Sequence, residues 1–255
     1  MSSPLAVTAE YDNCDVVLLS GSDFFKRSTD GGSNWSDILS STTNKPTALA
    51  DYPQNSAVIL LGRKYYSTTQ RAIAKSTNGG VNWTDELSST YKPRIFDITI
   101  NVSTAYPMRA VAAGGPDGAV ATGRGLFYTQ DYGSNWTARM TAAGNPSWTA
   151  VGFAYNGAGV NDVWAGTADG KLYKGTWIAN SMTLQTGFPP GHTFQDTVRA
   201  VRIDPSNVSV VYVVTDRSVY KTTNGGTSWA SVYTSGMTDS RAFSLEINPS
   251  NSNHL

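Results

Sequence analysis

The chain has 255 residues, balances 19 basic against 19 acidic side chains, is only 15% charged, and contains 24 Gly, 13 Tyr and 7 Trp. That balance leaves no net field to draw nucleic acid or an anionic membrane, so nucleic-acid binding is not expected. No apolar run approaches the roughly 18 residues of a membrane span, which argues against membrane insertion, and the turn-rich aromatic composition excludes a helical bundle in favour of an all-β chain.

In chain order, Met1-Ser2-Ser3-Pro4 lacks the basic and apolar segments of a signal peptide. Leu5 to Ala9 reads as a first strand. Cys14 is the single cysteine, so an internal disulfide and a cysteine-based zinc site are both excluded, and Cys14 is expected to fill a strand. A turn signal then appears, Ser28-Thr29-Asp30-Gly31-Gly32-Ser33-Asn34-Trp35. It recurs as Ser76-Thr77-Asn78-Gly79-Gly80-Val81-Asn82-Trp83, as Thr129-Gln130-Asp131-Tyr132-Gly133-Ser134-Asn135-Trp136, and as Thr222-Thr223-Asn224-Gly225-Gly226-Thr227-Ser228-Trp229. The tryptophans are separated by 48, 53 and 93 residues. The last interval is close to two repeats, and a repeat without the turn lies inside it: Asp162 to Thr167 and Gly170 to Gly175 keep the strand, Gly turn, strand rhythm, while Ile178-Ala179-Asn180-Ser181 stands where the turn should be.

The fifth repeat displays the unit best. Arg199 to Ile203 alternates, Val210 to Val214 is β-branched or aromatic, Val219 to Thr222 leads into the turn, and Trp229 to Tyr233 follows it. Asp204-Pro205-Ser206-Asn207 separates the first two strands as a type I turn, and Ile247-Asn248-Pro249-Ser250-Asn251 repeats that phrase. In the recurrent turn, Asp30 or Asn78 is expected to accept backbone N–H bonds two or three residues on, the second glycine to take positive φ, the leading Ser or Thr to join the network, and the Trp to bury its ring beneath. Two of the four Asp/Asn positions are Asn and no dense acidic set accompanies them, so no metal is expected.

The pattern Ser/Thr-x-Asp/Asn-x-Gly-x-x-Trp, four times over, resembles the Asp-box or BNR repeat of sialidases, xyloglucanase-type glycoside hydrolases, sortilin-like receptors and photosystem II assembly factors. Its residues are Ser28, Asp30, Gly32, Trp35; Ser76, Asn78, Gly80, Trp83; Thr129, Asp131, Gly133, Trp136; and Thr222, Asn224, Gly226, Trp229. The resemblance implies a β-propeller of four-stranded antiparallel blades, with the boxes between third and fourth strands and remote from the functional mouth. Five repeats are expected at about 5–43, 44–91, 92–144, 145–195 and 196–238, with the start of a sixth at 239–255 beginning near Phe243 to Ile247. The expectation is a fragment of a larger propeller, or a ring finished by strands of another chain, because an open edge invites self-association.

In propellers of this type the starts of the first strands ring the mouth. Those positions read as Thr47, Arg94, Trp148, Arg199 and Arg241, with Lys45, Tyr91, Lys92, Phe194 and Asp196 just before them. Arg94, Arg199 and Arg241 would grip an anion in bidentate fashion, similar to the arginine triad of sialidases, and Trp148, Tyr91, Phe194 and Tyr52 would stack on sugar rings. Salt bridges and solvated strand ends are the alternative role for the arginines, and core packing for the aromatics. The remaining sialidase pattern is weak: no Arg-Ile-Pro element occurs, and Glu10, Glu86 and Glu246 are the only glutamates. A hydrolase of xyloglucanase type needs a carboxylate pair, for which Asp97, Asp196 and Asp239 are available without a spacing that selects two. His192 and His254 have no metal-spaced partner, and no glycine-rich loop precedes a helix, so no cofactor is expected. The Asn-Trp-Ser/Thr triplets at Asn34, Asn82 and Asn135 follow from the box itself. The expected role is therefore a non-catalytic binding or assembly propeller for a glycan or protein partner, at a cell or virion surface, with a glycoside hydrolase as the alternative.

Overall fold

The computed structural model describes residues 4–10, 13–21, 24–38, 46–64, 71–87, 93–101, 103, 105–116, 125–139, 146–155, 161–178, 181–185, 196–233 and 244–247. The chain divides into two compact units, residues 1–138 and 139–255. Among the described residues every strand belongs to a four-stranded antiparallel sheet whose strands follow in chain order.

The first unit holds three sheets. The first contains β1 (Pro4–Glu10), β2 (Asn13–Gly21), β3 (Phe25–Ser28) and β4 (Ser36–Asp37); the second contains β5 (Pro46–Tyr52), β6 (Asn55–Arg63), β7 (Ile73–Ser76) and β8 (Thr84–Asp85). The third contains β9 (Arg94–Ile100), β10 (Ala110–Gly115), β11 (Gly125–Thr129) and β12 (Thr137–Arg139). The second unit holds β13 (Trp148–Tyr155), β14 (Asn161–Thr167), β15 (Leu172–Ile178) and β16 (Ser181–Gln185), then β17 (Val198–Ile203), β18 (Val211–Thr215), β19 (Val219–Thr222) and β20 (Ala230–Tyr233). The recurrent turn joins the third and fourth strands wherever it occurs. In the repeat without it, Ile178 pairs with Ser181, closing β15 onto β16 through a two-residue link.

The second strands β6, β10 and β18 are covered on both faces, which is why they read as near-continuous apolar runs, whereas β2 alternates buried Val16 and Leu18 with half-buried Val17 and Leu19. Leu60 and Leu61 of β6, Val111 and Ala112 of β10, and Val211 to Val214 of β18 are all buried. The fourth strands β4 and β8 are polar and only two residues each, which leaves little edge for unwanted pairing.

Each first strand begins with a β-bulge. The register skips Leu5, Thr47, Phe96, Thr149 and Arg199 respectively. The bulge turns the skipped residue out of the ladder, and two of these residues reach the next sheet of their own unit. Thr47 Oγ1 donates to the Ile95 carbonyl, and Thr149 Oγ1 donates to the Val198 carbonyl at 2.6 Å. Glycines on the second strands make room for the same neighbours. A methyl group at Gly62 would lie 2.5 Å from Ile95 Cγ2, and one at Gly166 would lie 2.2 Å from Val198 Cγ1. Sheet-to-sheet packing within each unit is thus set by small residues facing β-branched ones.

Residues 244–247 run beside the fifth sheet without entering its ladder. Leu245 and Ile247 pack on Ala200, Tyr212, Val214 and Val219, and Glu246 pairs with Arg202 at 3.2 Å.

Candidate functional site

The recurrent turns form closed hydrogen-bond networks. Ser28 Oγ donates to Asp30 Oδ1 at 2.7 Å and accepts the N–H groups of Asp30 and Gly32, so its single proton and both lone pairs are used. Ser76, Thr129 and Thr222 repeat the arrangement with Asn78 and Gly80, Asp131 and Gly133, and Asn224 and Gly226. The carboxylate or amide oxygen accepts the backbone N–H four residues on, from Asn34, Asn82, Asn135 and Ser228, one or two residues beyond the reach expected from sequence. Asn and Asp serve alike because the oxygen that both possess does the accepting. The second glycines have φ between 80° and 93°, as expected, and Tyr132 takes φ 57° where the other turns use their first glycine.

The tryptophan indole donates back to the turn, from Trp35 to Gly32, Trp83 to Gly80 and Trp136 to Gly133, at 2.8 to 3.0 Å. Burial is uneven. Trp83 and Trp136 pack on apolar clusters of the first unit and Trp229 packs edge-on against Trp164, whereas Trp35 remains 37% exposed. A smaller relative of the same network occurs on the β14–β15 turn, where Thr167 Oγ1 donates to Asp169 Oδ1 and accepts from the Lys171 N–H, with Gly170 at φ 78°.

The Asp30 carboxyl is lowered to about 2, first by the Asn34 backbone N–H and then by the side chains of Asn34 and Ser28. Burial pushes Asp131 up, but the bonds from Asn135 and Thr129 outweigh it and the net direction is down. A carboxyl depressed in the folded state contributes stability above its unfolded pKa and loses it as pH falls through the folded value. Stability should therefore decline between about pH 4 and pH 2, and Asp30→Asn should flatten part of that decline, since Asn78 and Asn224 occupy the same place without titrating. Thermal melts of both proteins from pH 5 to pH 2 measure this; parallel acid limbs would count against it.

The strand-start residues are held differently from one another. In the first unit Arg94 pairs with Gly115 two residues before the bulge at Phe96, and its guanidinium lies 5.1 Å from the Phe96 ring. In the second unit Arg199 is itself the bulged residue, and its Nε donates to Asp216 Oδ1 at 2.7 Å. Arg94 and Arg199 therefore do not occupy matching positions. Trp148 is completely buried, edge-on to Tyr173 at 5.1 Å, and so presents no ring face to solvent. Tyr52 is also fully buried and ends β5, at the opposite end of that strand from Thr47. Burial pushes the Tyr52 hydroxyl strongly upward, with Asp131 and Tyr132 adding to it. Arg241, Lys45, Tyr91, Lys92, Phe194, Asp239, His192 and His254 lie outside the described residues.

Several described carboxylates are tied to structural partners. Asp85 pairs with buried Arg63 and accepts the Arg71 N–H; Asp51 accepts from Thr8; Asp204 caps its own turn through Ser206. Asp196 lies 3.9 Å from Arg217. Glu86 is pushed upward by burial, opposed by Lys75 and Arg71. A depression of about 310 Å³, lined by Tyr128, Thr129, Gln130, Asp131, Asn135 and Thr137, lies beside the third turn. Sequence reading missed it because the box residues lining it already had a structural role. Among the described residues no cluster of His, Cys, Asp or Glu has the makings of a metal site, and no helix is long and apolar enough to cross a membrane.

No family model matches the chain, and no curated protein matches it. Solved structures do. An ancestral GH74 enzyme is similar with a TM-score of 0.66 at 13% identity, over 91% of this chain and 33% of its own. The GH74 xyloglucanase from Xanthomonas campestris gives 0.62 at 16% identity, over 89% and 38%. YCF48 from Cyanidioschyzon merolae gives 0.55 at 18% identity, over 85% and 69%. All three are β-propeller proteins, and the likeness at this identity is one of fold. The chain spans about a third of the length of the GH74 structures that it matches.

Proposed function

We propose that the recurrent turns are Asp-boxes and that the chain is a non-catalytic propeller or propeller segment that binds a protein or glycan partner. The observation carrying this reading is the use made of the carboxylates. Asp30, Asp131 and Asp169 complete turns, Asp85 and Asp216 neutralise arginines, and Asp204 caps a strand connection. Glycoside hydrolysis needs one carboxyl held protonated and a second held ionised across a sugar. Glu86 is raised by burial, but the carboxylates about it are the ion-paired Asp85 and the turn-bound Asp131.

The ligand surface proposed is, in each unit, the end of the sheets where the first strands begin, with Arg94 and Arg199 as polar contacts. The GH74 likeness keeps hydrolysis as a second reading, with Asp97 and Asp196 as its candidates. Incubating the chain with xyloglucan and sialosides, beside a glycan-binding screen and a partner capture on immobilised protein, separates the two. Saturable binding without product is expected. Product formation that disappears in Asp97→Asn or Asp196→Asn would establish the hydrolase instead.

A further inference from the structure

The strand register places one third-strand position opposite the second strand in each of the five described sheets. Across from Leu18, Leu60, Val111, Trp164 and Tyr212 on the second strands stand Arg27, Lys75, Tyr128, Lys174 and Lys221 on the third strands. Three of the four cations reach the recurrent turn of the next sheet in their own unit. Arg27 Nε donates to the Gly79 carbonyl at 2.7 Å, Lys75 Nζ to Ser134 Oγ at 2.5 Å, and Lys174 Nζ to the Gly225 carbonyl at 3.3 Å. The position without a cation, Tyr128, lies in the last sheet of the first unit.

The geometry is that of a strong pairing. A turn concentrates outward carbonyls and a hydroxyl at one spot, and a Lys or Arg stem crosses the apolar face of its own sheet to reach them. The turn glycine packs on the same face. A methyl at Gly80 would lie 2.9 Å from Leu18 Cδ2, and one at Gly133 would lie 2.4 Å from Leu60 Cδ2.

Lys221 is the fourth cation. Its Nζ lies 5.0 Å from the Tyr212 ring, as Lys174 Nζ lies 5.0 Å from the Trp164 ring, so it is presented as Lys174 is. Beside it Leu245 and Ile247 cover Ala200, Tyr212, Val214 and Val219, much as Val198 and Val201 of β17 pack with Ala150 and Trp164. We propose that residues 244–247 are the first strand of a further sheet formed in cis, and that Lys221 docks the Ser/Thr-x-Asp/Asn-x-Gly turn of that sheet. The inference rests on the turns coupling sheets, and it stands or falls independently of whether the partner is a protein or a glycan.

The test extends the full chain after Asn251 with a second copy of residues 208–238, which supplies three strands and a turn in the frame set by the repeated Pro-Ser-Asn phrase. Lys221→Met is made in the parent and in the extended chain. In the parent it is expected to shift Tm by no more than roughly 1–2 °C, as for a surface substitution. In the extended chain it should lower Tm by several degrees more. Acetylation rates read by mass spectrometry give a second measure: Lys221 should react faster than Lys174 in the parent and slow to match it after extension. Equal Tm losses in both chains, an unchanged Lys221 rate, or appended strands that fail to fold onto the chain would overturn the proposal. A Lys221-dependent dimer of the parent in light scattering would also overturn it, by making a second copy the occupant.

Discussion

Trp148→Ala is expected to cost about 3–5 kcal/mol, enough to unfold much of the second unit at ambient temperature. Trp148 is fully buried and stands edge-on to Tyr173, an arrangement worth about 0.5–1.5 kcal/mol beyond its buried area. Its indole N–H finds no acceptor among the described residues. Trp148→Phe should therefore be much milder, because it keeps an aromatic ring in the site and removes a buried donor that is a penalty of about 1–3 kcal/mol. Urea unfolding of the three proteins measures the difference. If Trp148→Ala kept its stability and lost only ligand binding, the residue would belong to a surface site.

Gly133→Ala should be nearly as damaging, at about 2–5 kcal/mol, for two separable reasons. The backbone sits at φ 80°, where a Cβ costs roughly 1–2 kcal/mol. The new methyl would also drive into Leu60 at 2.4 Å, and overpacking a tight core costs about 1–3 kcal/mol more. Gly32→Ala isolates the first reason. Gly32 has φ 92°, but a methyl there meets only the Trp35 ring at 3.4 Å. Gly32→Ala should thus lose about 1–2 kcal/mol, and the difference between the two variants reads the strength of sheet-to-sheet packing. Equal losses would mean that the turn does not couple its sheet to the preceding one.

Much of this architecture is legible in the amino-acid sequence because its determinants are local. The fifth repeat's strands, read as Arg199 to Ile203, Val210 to Val214, Val219 to Thr222 and Trp229 to Tyr233, form within one residue of those bounds. Alternation and turn formers mark them without reference to anything distant. The Asp204-Pro205-Ser206-Asn207 turn likewise closes as expected, with the Asn207 N–H donating to the Asp204 carbonyl at 3.2 Å.

What escaped sequence reading depends on register. A bulge inserts one residue into a period of two, so counting from strand to strand aligned Arg94 with Arg199 although the pairing places Phe96 there. Tyr52 reads as an aromatic that could stack on a sugar, yet the seven residues of β5 place it at the opposite end of that strand from Thr47. Trp148 illustrates a different limit. An aromatic at a strand start fits a stacking platform and a core anchor equally well until its burial is known. The cations at Arg27, Lys75 and Lys174 were invisible for the opposite reason, since a lone basic residue on a strand looks like an ordinary solvated side chain.

The recurrent turns act as structural couplers, as firmly held as the strands they join. Native-state hydrogen exchange at the Gly80, Gly133 and Gly226 amides tests this role most directly, because each donates to a turn hydroxyl from a buried backbone. The expected result is protection approaching that of the Ile59 and Val213 amides in the neighbouring second strands, with the Gly32 amide of the exposed first turn exchanging faster. Exchange of all four glycines at loop rates, while the strands stay protected, would show that the turns are loose surface features and would contradict the account.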